Sequence, residues 1–158
     1  MATYRRSVGD KIMSRIVKAP IERKAEFIRT AQQLFYTKGY ETTSVNDIIK
    51  AVGVSKGAFY HYFDSKQDVL SAVVDTLIAQ SLGLMQSVTD DPALDAIRKF
   101  NKTREVVSNW KVDQKEEMIA LAKMMRLDEN MRLFNTLRRE GQKLFAPEWA
   151  KIIQQGVE

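Results

Sequence analysis

Residues 44–63, SVNDIIKAVGVSKGAFYHYF, constrain the fold more than any other stretch of the chain. Two short helical runs are separated there by only Gly53, Val54 and Ser55. Ser44 is placed to cap the first run, and Asp47 three residues on completes a capping box. Ile48, Ile49 and Val52 form that helix's apolar side. Gly53 permits the left-handed backbone needed for a sharp turn between steeply crossed helices. Ser55 is placed to cap a second helix whose body is Lys56 to Phe63. Ile48, Val52, Val54, Phe59 and Tyr62 are spaced to meet where the two helices cross. The pattern predicts a helix-turn-helix.

The second helix has an informative outer face. At about 100° per residue, Phe59 and Phe63 share one side, with Tyr62 at its edge. Gly57 and His61 point the opposite way, flanked by Lys56 and Tyr60. Lys56 suits a base edge or a phosphate. Gly57 and Ala58 let the backbone come close to a groove, and the helix start favours an anion. Tyr60, His61, Tyr62 and Lys66 suit phosphate oxygens, contacts that fix register on a duplex. Charge agrees with this reading. Residues 1–70 hold 12 basic and 7 acidic residues, which accounts for the whole net charge of +5. Residues 71–158 are balanced, 13 against 13. Such asymmetry points to a polyanion partner for the N-terminal part.

Helical signals continue throughout, and strand signals are nearly absent. After Pro20, apolar residues from Ile21 to Phe35 recur on one side, and Lys38-Gly39 supplies a stop. Ser65, with Asp68, opens a fourth helix bearing Val69, Leu70, Val73, Leu77 and Met85. Asp91-Pro92 is expected to start the next, with Leu94, Ile97, Phe100, Val107 and Trp110 facing inward. Asp113 with Glu116 is expected to open another, carrying Met118, Leu121 and Met125. Asp128 is expected to cap the last, and Pro147 to kink it or begin a new one. The expected class is all-α.

Several functions are excluded. The chain has no cysteine and a single histidine, so thiolate metal sites and cysteine nucleophiles are absent. His61 has no second imidazole or suitably spaced carboxylate, and no nucleophile elbow is found. Gly53–Gly57 lacks the spacing and final Lys-Ser/Thr pair of a phosphate loop. Asp90, Asp91 and Asp95 are read as helix-start acids, not metal ligands. No catalytic residue, cofactor or metal is therefore expected. The longest uninterrupted apolar run, Met118 to Ala122, has five residues and argues against a membrane span.

The run TTSVNDIIKAVGVSKGAFYHYFDSKQDVL closely resembles the DNA-binding domain of TetR-type bacterial transcriptional regulators. The resemblance covers roughly residues 21–80. Asn46 stands where these proteins often carry arginine, and Ile49 replaces a usual small alanine. The resemblance implies phosphate contact by Thr43 and Ser44 and adds Asn46 and Ser55 to the DNA-facing set. It also implies a cytoplasmic, Ω-shaped homodimer on a palindromic operator in double-stranded DNA, released by a small-molecule inducer. Half-sites for such a dimer lie about 34–36 Å apart.

Three segments follow: a basic arm (1–20), the helix-turn-helix domain (21–66) and a helical regulatory domain (67–158). The arm carries Arg5, Arg6, Lys11, Arg15 and Lys18, and is read either as a DNA-tracking segment or as a solubilising tail. In the regulatory domain, methionines and aromatics suggest an adaptable apolar pocket. Phe100, Arg104, Val107, Trp110, Met118, Met125 and Phe134 are its expected lining, with Arg104 as polar anchor. The resemblance further implies two dimer-forming helices beyond Glu158, so this domain is read as C-terminally shortened. The alternative function is a helical protein-interaction or small-molecule-carrier domain without specific DNA binding.

Overall fold

The computed structural model describes residues 19–157. The basic arm, apart from Ala19 and Pro20, lies outside the described residues. Seven helices follow in order: α1 (Pro20–Thr37), α2 (Val45–Val52), α3 (Lys56–Tyr60), α4 (Lys66–Thr89), α5 (Ala96–Asp113), α6 (Lys115–Met125) and α7 (Asp128–Val157). No strand occurs among the described residues. The class is all-α, as expected.

The first four helices begin and end where local chemistry directs. Ser44 Oγ accepts from Asp47 N at 3.1 Å, and the Asp47 carboxylate accepts from Ser44 N at 2.8 Å, closing the capping box on α2. Gly53 ends α2 at φ 74°, and Gly39 turns the chain after α1 at φ 94°. Both conformations are costly for residues with a Cβ. Ser65 Oγ accepts from Asp68 N at 3.1 Å to start α4. The Asp68 carboxylate reaches one residue further than a capping box requires, accepting from Asp64 N at 3.1 Å.

Later boundaries depart from expectation. Asp91-Pro92 forms a turn, in which Asp91 Oδ1 accepts from Ala93 N at 2.9 Å. The α5 cap is Asp95, accepting from Arg98 N at 2.8 Å. Asp113 does not open α6: it is the last residue of α5, and Gln114 joins the two helices without a side-chain cap. Pro147 lies inside α7, which runs on to Val157. Only at α5 does another side chain, Asp95, supply the expected cap; the α5–α6 junction is made without one.

One apolar cluster joins the helix-turn-helix to α4, α6 and α7. Phe27, Ala31 and Phe35 of α1 pack with Ile48 and Ile49 of α2, Phe59 and Phe63 beside α3, and Val69, Leu70, Val73 and Val74 of α4. Met124, Phe134 and Leu137 from α6 and α7 join the same cluster. Helix α4 is central to it, packing against α1, α5 and α7. With a mean hydropathy of 1.4 over an 18-residue window, α4 is long and apolar enough to cross a membrane. Uninterrupted run length was therefore too strict a test. Val69, Leu70, Val73, Val74, Leu77, Met85 and Val88 are buried against the neighbouring helices, while Ile78, Leu82 and Leu84 are half-buried and Ala79 is exposed.

Candidate nucleic-acid interface

Helix α3 is held from one side by aromatic rings. Phe59 is fully buried, with ring centroids 5.5 Å from Phe27 and 5.8 Å from Phe63. Phe27 also meets Phe63 at 6.0 Å and Tyr62 at 5.9 Å. The two edge-to-face contacts, Phe27 with Phe59 and with Phe63, add about 0.5–1.5 kcal/mol each beyond area burial and fix orientation. The helix is shorter than expected, ending at Tyr60, because the chain turns at His61 and Tyr62 to bring Phe63 back into the core.

The opposite side of α3 is open. Lys56, Gly57, Tyr60 and His61 are all exposed, and Lys56 Nζ lies 5.7 Å from the Tyr60 ring centre. Ser55 Oγ accepts from Ala58 N at 3.3 Å, so it caps α3 at the edge of this face. Ser44 and Asn46 are exposed at the start of α2. The Asp47 carboxylate beside them accepts from Lys38 Nζ at 2.8 Å and from the Ser44 backbone and hydroxyl. The Lys38 bond above all, then the Ser44 bonds, hold it well below the usual carboxylate range.

Three expected contacts sit elsewhere. Thr43 is buried, and its hydroxyl donates to Gly39 O at 2.6 Å, so its side chain braces the turn after α1. Tyr62 is half-buried against Phe27. Lys66 is half-buried too, donating to Tyr40 O at 2.9 Å with its ammonium 4.1 Å from the Tyr40 ring centre. That pair ties the connection between α1 and α2 to the start of α4. Burial, and to a lesser degree the Glu129 charge, pushes the Tyr40 phenol up to about 12.

Behind this interface lies a cleft of about 890 Å³ between α4, α5, α6 and α7. Arg104, Val107, Trp110 and Met118 line it as expected, with Val74, Leu77, Met85, Phe145 and Trp149 supplying further apolar wall. Three expected residues do not. Phe134 is buried in the shared core, and Met125 is exposed at the end of α6. Phe100 is 45% exposed, its ring 5.8 Å from Trp149. The reason is the rotation of α5, whose buried positions are Lys99 and Thr103, leaving Ile97 and Phe100 outward.

Residues 27–73 match the sequence profile of bacterial regulatory proteins of the tetR family. EthR, an HTH-type transcriptional regulator from Mycolicibacterium smegmatis, is 33% identical over 88 residues, covering 56% of this chain and 41% of that protein. An HTH-type transcriptional regulator from the lacX 3' region of Lactococcus lactis is 46% identical over 52 residues, covering 33% and 26%. The structure of a TetR-family regulator from Syntrophomonas wolfei shares the fold with a TM-score of 0.70. Its identity is 20%, over 88% of this chain and 70% of the other.

The likeness to the tetR family is carried by the helix-turn-helix segment.

The matched segment runs from the middle of α1 into α4, so it covers the helix-turn-helix and stops short of most of the cleft. The chain spans 26% and 41% of the length of the two curated relatives. Side-chain bonds join α4, where the matched segment ends, to α7. Gln67 Nε2, one residue into α4 from Lys66, donates to Glu129 O at 2.6 Å and contacts Asn130 Oδ1 at 3.4 Å. Asn130 is fully buried and donates to Met124 O at 3.2 Å. At the far end of α4, the buried Glu148 carboxylate accepts from Thr89 Oγ1 at 2.6 Å and pairs with Lys151 at 2.9 Å. Sequence reading missed both networks, since residues about 60 positions apart carry no local signal of contact.

Proposed function

We propose that this chain is a tetR-type, sequence-specific DNA-binding transcriptional regulator, acting in the cytoplasm as a homodimeric repressor on a palindromic operator. The outward face of α3 carries the proposal: Lys56, Gly57, Tyr60 and His61 stand free on a helix whose other side is anchored by Phe59. A cation beside a residue without a side chain allows backbone approach and base-edge contact together. Exposed Ser44, which caps α2, and Asn46 in its first turn extend the same surface toward phosphates.

Release is assigned to a small apolar or amphipathic ligand in the cleft. Helix α4 supports this reading, since Val74 and Leu77 line the cleft while Val69 and Leu70 pack under the helix-turn-helix. A ligand that displaces α4 or α6 changes the separation of the two recognition helices in the dimer. The test is a gel-shift titration with DNA selected from a random pool, at several salt concentrations. Lys56→Ala and Tyr60→Ala are expected to weaken binding about tenfold or more, equivalent to ~1–3 kcal/mol per contact. Parent-like affinity in both variants at moderate salt overturns the proposal.

A further inference from the structure

The most basic stretch of the chain precedes α1. Residues 1–18 hold Arg5, Arg6, Lys11, Arg15 and Lys18 against the single acid Asp10, so they carry four of the five net positive charges. The helix-turn-helix unit is poor by comparison: residues 19–70 hold 7 basic and 6 acidic residues. Within it, Lys38 is paired with Asp47, Arg23 with Glu26, and Lys66 is turned in toward Tyr40 O. Neutralised phosphates supply essentially all non-specific affinity for a duplex and a large share of specific affinity. The folded unit by itself brings little excess charge to that task.

The place where the arm joins the fold gives it a target. The chain enters α1 at Pro20, and the Glu22 carboxylate accepts from Ala19 N at 3.3 Å. One turn on, Lys24 Nζ lies 5.5 Å from the Phe63 ring centre, and Phe27 meets Phe59 at 5.5 Å and Tyr62 at 5.9 Å. Tyr62 in turn touches exposed His61, with ring centroids 4.8 Å apart. The first two turns of α1 therefore run beside the C-terminal end of α3, and Ala19 is only about 12 Å along the helix from Phe27. The arm thus joins the fold on the flank of the surface that carries Lys56, Tyr60 and His61. A helix in one major groove has a minor groove about half a helical turn away, roughly 17 Å. The chain between Arg6 and Ala19 can span about 40 Å when extended, more than enough to reach it.

We propose that residues 5–18 are a second DNA-binding element: Lys11, Arg15 and Lys18 neutralise phosphates beside the half-site, and the Arg5-Arg6 pair enters the adjacent minor groove. Narrow minor grooves concentrate negative potential and draw in arginine. Ser7, Val8 and Gly9, which follow the pair, are small enough to lie at its mouth. This rests on the DNA-binding reading above and adds a contact in a different groove from that of α3.

The test uses the full chain with Arg5→Gln, Arg6→Gln, Lys11→Gln, Arg15→Gln and Lys18→Gln combined, on DNA selected by the parent. Each phosphate neutralised contributes about 0.9 to the slope of log affinity against log salt concentration. The slope is expected to flatten by about three to four units, and affinity at moderate salt to fall about tenfold or more. The substituted positions precede α1, and a thermal melt matching the parent's confines the effect to the arm. The chain has no cysteine, so Ser7→Cys takes a single iron–EDTA tether. Its radical cleavage is expected in the minor groove beside the half-site, on both strands. Cleavage confined to the major groove, or parent-like affinity and slope in the combined variant, overturns this inference and leaves DNA binding by α3 standing. Arm-dependent binding to phosphatidylglycerol vesicles with unchanged DNA affinity also overturns it, in favour of a membrane contact. Failure of the parent to enrich any DNA from the pool overturns both readings.

Discussion

Around α3, the buried position is filled by Phe59, packed among Phe27, Tyr60 and Phe63, and the helix starts and stops on bonds made within a few residues. Around α5, the inward positions are Lys99 and Thr103, apolar Ile97 and Phe100 face outward, and a cleft takes the place of a packed core. The two regions share α4 but use it differently. Under the helix-turn-helix, α4 is a rigid floor made by Val69, Leu70 and Val73. Beside the cleft it is one wall of an incompletely filled space. A surface that must present side chains to a regular duplex gains from rigidity. A site that must admit and release a ligand cannot be packed to crystal density. On the proposed function, stability and responsiveness are separated along one helix.

Core substitutions test that contrast most severely. Phe59→Ala removes the ring that orients α3 and is expected to cost about 3–5 kcal/mol, with loss of DNA binding. Val107→Ala, in the half-buried cleft wall, is expected to cost under about 1 kcal/mol. Denaturant melts of both variants compare them directly, and equal losses would dissolve the distinction between packed and open halves.

The turn sets a smaller effect. At φ 74°, Gly53→Ala meets no atom within 4 Å, so its penalty is conformational only, about 1–2 kcal/mol for a left-handed alanine. A thermal melt measures it. A loss well above that range would show that the turn is also sterically crowded.

The coupling between halves is sharper to test than its stability contribution. Gln67→Ala deletes the bonds to Glu129 and Asn130 at the α6–α7 junction. Stability should fall by about 0.5–1.5 kcal/mol, whereas the ligand concentration needed to release DNA should rise several-fold. Unchanged release with reduced stability would make these bonds purely structural.

The smallest effects come from titration. Glu148 is held below its ordinary 4.5, chiefly by the Thr89 hydroxyl, with Lys151 and Gln86 assisting against the opposing effect of burial. A carboxylate with a lowered folded value contributes stability above its unfolded value, lost as pH falls through the folded one. Acid melts below pH 4.5 should therefore show a steeper decline in the parent than in Glu148→Gln. Tyr40 gives the opposite sign. Raised to about 12, it contributes stability below pH 10 that is lost as pH climbs through 12. Ultraviolet titration should find this phenol among the last to ionise, and Glu129→Gln should bring it slightly earlier.

The sequence by itself determined the all-α class, the helix-turn-helix at 44–63 with its caps at Ser44 and Ser55, the α4 cap at Ser65, and the left-handed turns at Gly39 and Gly53. All of these depend on interactions within about four residues, which spacing along the chain encodes directly. The tertiary structure decided which side of α5 faces inward, and where Thr43, Tyr62 and Lys66 settle. It also placed Phe134 in the core instead of the cleft, and joined Gln67 to Asn130 and Thr89 to Glu148. A helix bearing mixed side chains has no preferred rotation of its own: α5 turns Lys99 and Thr103 inward because of what α4 and α7 present to it. Hydrogen bonds spanning some 60 residues arise only when three helices are already packed, and periodicity within any one of them cannot announce its neighbours.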